Sequence, residues 1–173
     1  IYSDPDLVAV NKPPGLPVHG GPGVRGPLLT DFLLKKFPEL EGVGEDPARP
    51  GIVHRLDKDT SGVLVAARNP KSFPALKDLF KNRLVEKVYL AIVCGVPKRE
   101  HGIISLSIGR LARNPRKRGV RQGRGRLKGE REAISEYKLL KRGDKYSLLE
   151  IKPRTGRMHQ IRVHLKSIGH PVA

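Results

Sequence analysis

Apolar residues in this chain gather into short runs, and most of the runs have strand length rather than helix length. Ile1 to Val10 holds apolar residues around Asp4-Pro5-Asp6, which predicts a strand, a turn and a second strand. Asn11-Lys12-Pro13-Pro14-Gly15 then breaks regular structure, and Gly20 to Gly26 is a loop rich in glycine and proline. Leu28 to Phe37 has helical spacing, with Leu29, Phe32, Leu33 and Phe37 on one side. Gly51-Ile52-Val53-His54 predicts a short strand, and Val63 to Ala67 another. Asn69-Pro70 sets an N-cap residue before proline at the first helical position, which predicts a helix to about Asn82 in spite of Pro74.

Glu86 to Val93 and Gly102 to Ile108 predict further strands. Glu132 to Leu140 and Tyr146 to Ile151 predict a pair joined by the turn Arg142-Gly143-Asp144. Met158 to Ser167 predicts a last helix, ended by Gly169 and Pro171. Strands outnumber helices and are not regularly separated by them. The pattern therefore predicts an α+β fold: a mostly antiparallel or mixed sheet, a few flanking helices and long basic loops. No repeat and no shift in composition marks a second domain, and 173 residues suit a single one, 1–173.

Charge narrows the class of partner. Lysine and arginine number 34 against 17 acids, a net charge of +17, which implies a polyanion. No apolar run approaches the roughly 18 residues of a spanning helix, so nucleic acid leads and a membrane is not expected. Arg110 to Lys128 carries nine basic residues, no acid and only three aliphatics. It predicts a flexible, solvated loop that closes onto phosphates, with Arg113, Arg116, Lys117, Arg118 and Arg121 as contact residues. With no Trp, four Phe and four Tyr, base stacking cannot be the main source of affinity. The lone Cys94 excludes an internal disulfide, fits a reducing cytoplasm and reads as a small core residue.

The candidate chemistry centres on His54-Arg55-Leu56-Asp57-Lys58-Asp59-Thr60-Ser61-Gly62, a polar loop between two apolar runs. Such an anchored loop is where a scaffold holds a functional group. Asp57 and Asp59 could be an acid and base pair, but two positions apart in a turn they need not converge. A turn role suits Asp59 better, with Thr60 and Ser61, satisfying backbone donors. The six histidines lack the paired spacing of a zinc site, and His159 and His164 are expected on different faces of the last helix. Neither a phosphate-cradling Walker loop nor a dinucleotide fingerprint is present, so no metal or cofactor is expected.

The same loop matches the H-R-L-D-x-x-T-S-G signature of the RluA-type pseudouridine synthases. Seven fixed letters arise by chance about once in 10⁹ windows at uniform composition, so the match is specific. Asn11-Lys12-Pro13 with Gly15 and His19 resembles the family's N-K-P-x-G-x-x-x-H segment. Glu86-Lys87-Val88-Tyr89-Leu90-Ala91 resembles its K-x-Y-L-A strand, and Thr155 to Leu165 is similar to its T-G-R-x-H-Q-I-R-x-H-L element.

The resemblance implies a pseudouridine synthase-like catalytic domain acting on ribosomal or transfer RNA, with large-subunit ribosomal RNA favoured, as a cytoplasmic monomer without cofactor. It implies that the catalytic aspartate is Asp57, the active-site tyrosine Tyr89, and the arginine paired with the aspartate Arg162. Arg55 would fill the stack when the target base leaves, and Lys152 and Ile161 would lie near the pocket. In the family a further segment follows the G-H-P that ends this chain, and an S4-type domain often precedes the catalytic one. A noncatalytic RNA-binding protein of the same fold would not need Asp57, Tyr89 and Arg162 together. A glycosidase of neutral sugars would not need the surplus of +17.

Overall fold

A computed structural model describes residues 1–112, 114–121 and 127–173. Its contacts divide the chain into two units, 1–85 and 86–173.

In the first unit, β1 (Tyr2–Ser3) and β2 (Leu7–Lys12) form the expected antiparallel pair, turned at Asp4, whose carboxylate accepts the amides of Asp6 and Leu7. The helix α1 (Leu29–Lys36) follows the glycine-rich loop, and Asp31 reaches back to the amide of Leu28 at its start. A 3₁₀ turn covers Pro38–Leu40. The strand β3 (Gly62–Ala67) pairs antiparallel with β2, giving the sheet order β1-β2-β3. In α2 (Ser72–Lys81) the expected cap is in place: Asn69 Oδ1 accepts the amides of Lys71 and Ser72 at 3.0 and 2.8 Å. Val8, Val18, Leu29, Leu33, Leu40, Leu64 and Ala66 form the core of this unit.

The strand expected at 51–54 is reduced to a single bridge between Ile52 and Ala66. Gly51 is the reason the chain can turn there. It has φ +67°, and a Cβ on it would lie 2.3 Å from the Ala67 carbonyl oxygen.

The second unit opens with β4 (Tyr89–Cys94), β5 (His101–Ser105), β6 (Ile108–Leu111), β7 (Asn114–Val120) and β8 (Leu127–Arg131). Then come β9 (Ile134–Arg142), β10 (Tyr146–Pro153) and α3 (Gln160–Ser167). One antiparallel sheet has the order β4-β10-β9-β5, and a second the order β7-β6-β8. Ala91, Val93, Ile104, Leu149, Ile151 and Leu165 form the core here. Cys94, expected in a core, ends β4 half-buried.

The expected fold class holds, α+β with antiparallel sheets. Its long basic loop does not: outside the undescribed residues 113 and 122–126, the segment 110–128 is mostly strand. Counting aliphatics misjudged it, because the few present face one another in register. Ile108 is opposite Val120, and Leu111 is opposite Leu127. Gly109 and Gly119 also face each other, and a Cβ on either would lie 2.7 Å from a leucine side chain, Leu127 or Leu111. Backbone ladders then hold strands whose other positions are polar.

Candidate functional site

In the first unit the signature loop is held from its first letter. His54 Nε2 accepts the Val65 amide at 2.9 Å, and its ring stacks on Phe80 of α2 with centroids 4.3 Å apart. Leu56 is buried. Asp57 is half-buried and opens a turn closed by the Thr60 amide, which donates to the Asp57 carbonyl at 3.1 Å. Arg55 and Asp59 are exposed. Asp59 lies in this turn, as expected. Its carboxylate, however, accepts no hydrogen bond among the described residues, and the Thr60 amide closes the turn on backbone.

Behind the loop lies a group whose role the motif letters did not reveal. Lys12 is fully buried, and its Nζ donates to the carbonyls of Pro13, Leu16 and Lys58 at 2.8 Å each. These bonds use all the donors of the ammonium and tie the N-K-P segment to the residue between Asp57 and Asp59. Burial holds the Lys12 pKa below the ordinary lysine range, and the carboxylates of Asp59 and Asp57 pull it back up. A signal was available: Val8, Val10 and Lys12 fall on one face of a strand, so the lysine continues an inward apolar row.

In the second unit Tyr89 opens β4 opposite Ile151, half-buried against the core, and Ile161 of α3 packs on the same cluster. Lys152 Nζ donates to Glu86 Oε1 at 2.7 Å; that bond raises the Lys152 pKa and lowers that of Glu86. Arg162 is on the exposed side of α3, while Gln160, His164 and Leu165 face inward.

The inward side chains anchor this helix. Gln160 Oε1 accepts the Thr155 hydroxyl at 2.7 Å and the Arg157 amide at 2.9 Å. Its Nε2 donates to the Ile134 carbonyl and the Ser135 hydroxyl, each at 2.9 Å. His164 Nε2 donates to the Leu106 carbonyl at 2.9 Å, and Nδ1 accepts the Ser135 hydroxyl at 3.0 Å. Burial depresses the His164 pKa, partly opposed by the Leu106 bond, so the ring is neutral at pH 7. His159 does not share the helix with His164 but caps it, at φ +56°, a left-handed conformation that costs a side-chain-bearing residue energy.

The second sheet of this unit carries the basic segment. Arg110 sits opposite Arg118 on one side and Lys128 on the other, a row of cations across all of its strands. Such a row gives this sheet a patch of positive potential, which attracts anions. Of the expected contacts, Arg116, Lys117 and Arg118 fall on β7, Arg121 is paired with Glu130, and Arg113 lies outside the described residues. Among the described residues no cluster of His, Cys, Asp and Glu suits a metal ion, and no helix is long and apolar enough to cross a membrane.

The sequence profile of RNA pseudouridylate synthases matches residues 6–167. An uncharacterized RNA pseudouridine synthase of Synechocystis is 42% identical over 172 residues, covering 99% of this chain and 51% of that protein. Ribosomal large subunit pseudouridine synthase D of Borreliella burgdorferi is 42% identical over 173 residues, covering 99% and 52%. The solved structure of human RNA Pseudouridylate Synthase Domain Containing 1 superposes with a TM-score of 0.81 at 30% identity, covering 99% of this chain and 65% of that one. The chain spans about half the length of the curated relatives it matches. It belongs to the RNA pseudouridylate synthase family.

Proposed function

We propose that the chain is the catalytic part of an RNA pseudouridine synthase that isomerises uridines in structured RNA, with ribosomal RNA favoured. The observation that carries this reading is the intact signature with Asp57 at the head of a turn clamped by Lys12 and His54. We read the carboxylate carried on that fixed backbone as a reagent rather than a solvated counter-charge.

In the proposed reaction the uracil N1–C1′ bond breaks, the base rotates, and C5 bonds to C1′. The proton at C5 leaves and N1 gains one, so nothing is oxidised, reduced or added, and no cofactor is required. The Asp57 carboxylate serves the sugar, where positive character at C1′ or a proton at C2′ needs a base or nucleophile. The family resemblance pairs Arg162 with it, and an opposite charge favours the ionised form of a carboxylate. Tyr89 lies against the uracil, and Arg55 fills the gap left in the stack, offsetting the few kcal/mol that extrusion costs.

The cation row on Arg118, Arg110 and Lys128 supports an RNA backbone as partner. We read the protein as a monomer, and as cytoplasmic, the latter consistent with its single cysteine.

The test uses RNA labelled with tritium at C5 of uridine. The wild-type chain should release tritium to water, and Asp57→Asn should release none while still binding the RNA. Appreciable turnover by Asp57→Asn would remove Asp57 from the chemistry.

A further inference from the structure

The glycine-rich loop has no part in the chemistry above, yet it walls a cavity of the first unit that is larger than the one lined by Glu45, Asp46, Arg49 and Lys77. That cavity has a volume of about 360 Å³ and is lined by Val18, His19, Val24, Arg25, Arg55 and Lys58, among others. Its lining holds three cations and no acid. The smaller cavity of the same unit is a useful contrast. There Glu45 and Asp46 stand with Arg49 and Lys77, and the charges pair off as Lys77–Glu45 and Arg49–Asp46. Neither Arg25 nor Lys58 has an ion-pair partner among the described residues.

One of the cations is aimed. His19 is buried, and its Nδ1 donates to the Gly20 carbonyl at 2.7 Å. That leaves Nε2 as the acceptor for Arg55 Nη1 at 3.3 Å. The histidine thus adds no positive charge but holds the guanidinium beside the cavity. Val18, Val24 and Leu56 give the same space apolar walls. Cations beside apolar walls match the two parts of a nucleotide, its phosphate and its sugar and base. Arg55 and Asp57 are two residues apart, at most about 7 Å of chain. Whatever occupies the cavity therefore adjoins what Asp57 touches.

We propose that this cavity is a second RNA subsite, which takes the nucleotide next to the target uridine, with its phosphodiester on Arg25 and Lys58, while Arg55 reaches from the cavity wall into the gap the uridine leaves. The proposal rests on the isomerase reading and adds to it Arg25, Lys58 and the orienting role of His19.

The test measures binding of 5′-fluorescein-labelled single-stranded decauridylate to the whole chain by anisotropy, across a salt series. Variants Arg25→Gln and Lys58→Gln are compared with Lys35→Gln, which removes the same charge from an exposed position on α1. Each lost phosphate contact should flatten the plot of log affinity against log salt by about 0.7. Arg25→Gln and Lys58→Gln should each do so, and Lys35→Gln should leave the slope unchanged. If the cavity variants match Lys35→Gln, or the wild-type chain does not bind the oligonucleotide, the subsite is overturned. The tritium assay is separate: no tritium release by the wild-type chain would overturn the isomerase reading and leave a subsite result standing.

Discussion

The two charges that the proposed reaction needs are mounted in different ways. Asp57 sits on a loop without regular secondary structure, while Arg162 sits on a helix. The loop is held by a single buried cation that spans 46 residues of sequence to reach Lys58, helped by the ring of His54. The helix is held by a neutral network of Gln160, His164, Ser135 and Thr155. In both places the letters beside the proposed reactive residue satisfy buried polar groups. A loop has no ladder of its own, so it needs a stronger tie than a helix does.

That contrast predicts unequal costs. Lys12→Met should be the more damaging change, because it leaves the carbonyls of Pro13, Leu16 and Lys58 without their donor. A loss of about 3 kcal/mol is expected from broken buried polar contacts, with turnover falling by more than the stability loss explains. Urea unfolding and tritium release on one preparation would check it. Normal turnover in a destabilised Lys12→Met would mean that the clamp serves the fold alone.

The helix mount should announce itself through pH. The His164 pKa lies below its ordinary value because the folded state resists charging the ring. Unfolding therefore takes up a proton below about pH 6.5, so stability falls as pH drops toward the depressed folded value, by at most about 1.4 kcal/mol per unit. Above pH 6.5 this contribution is fully present. His19 is shifted the same way by its own burial, so the comparison is with His164→Gln, which should lose part of the acid sensitivity. An identical pH profile in that variant would put the sensitivity elsewhere.

Glu86→Gln should do least. The Glu86–Lys152 pair is solvent-exposed, and such pairs add little to stability. A thermal melt should not move. A clear drop would show that this pair has a structural role beyond its surface position.

The sequence made the outline of both mounts readable. The strands β3, β9 and β10, the Asn69-Pro70 cap and the signature loop fall close to where patterning put them, because each depends on local spacing. The single strand expected at 102–108 is instead broken between β5 and β6. The basic segment was misread, since cross-strand registers such as Leu111 with Leu127 join residues 16 apart and cannot be counted from composition. The strand expected at 51–54 was lost to a left-handed Gly51, whose neighbours come from Ala67 and Leu40. Lys12 was visible as a motif letter and as a lysine on an inward strand face. Two of its carbonyl partners, Pro13 and Leu16, are local, but the third, Lys58, lies in a turn far along the chain that no local pattern shows.

On the proposed reading labour is divided between Asp57 of the first unit, the reagent, and the cation row of the second, which adds grip. Saturating turnover and RNA affinity, measured together on Asp57→Asn and on the triple variant Arg110→Gln, Arg118→Gln, Lys128→Gln, test it most directly. Asp57→Asn should lose turnover and keep its affinity. The triple variant should bind more weakly, with a shallower salt dependence, yet approach wild-type turnover at saturating RNA. If both variants lose affinity and turnover in the same proportion, the division does not exist.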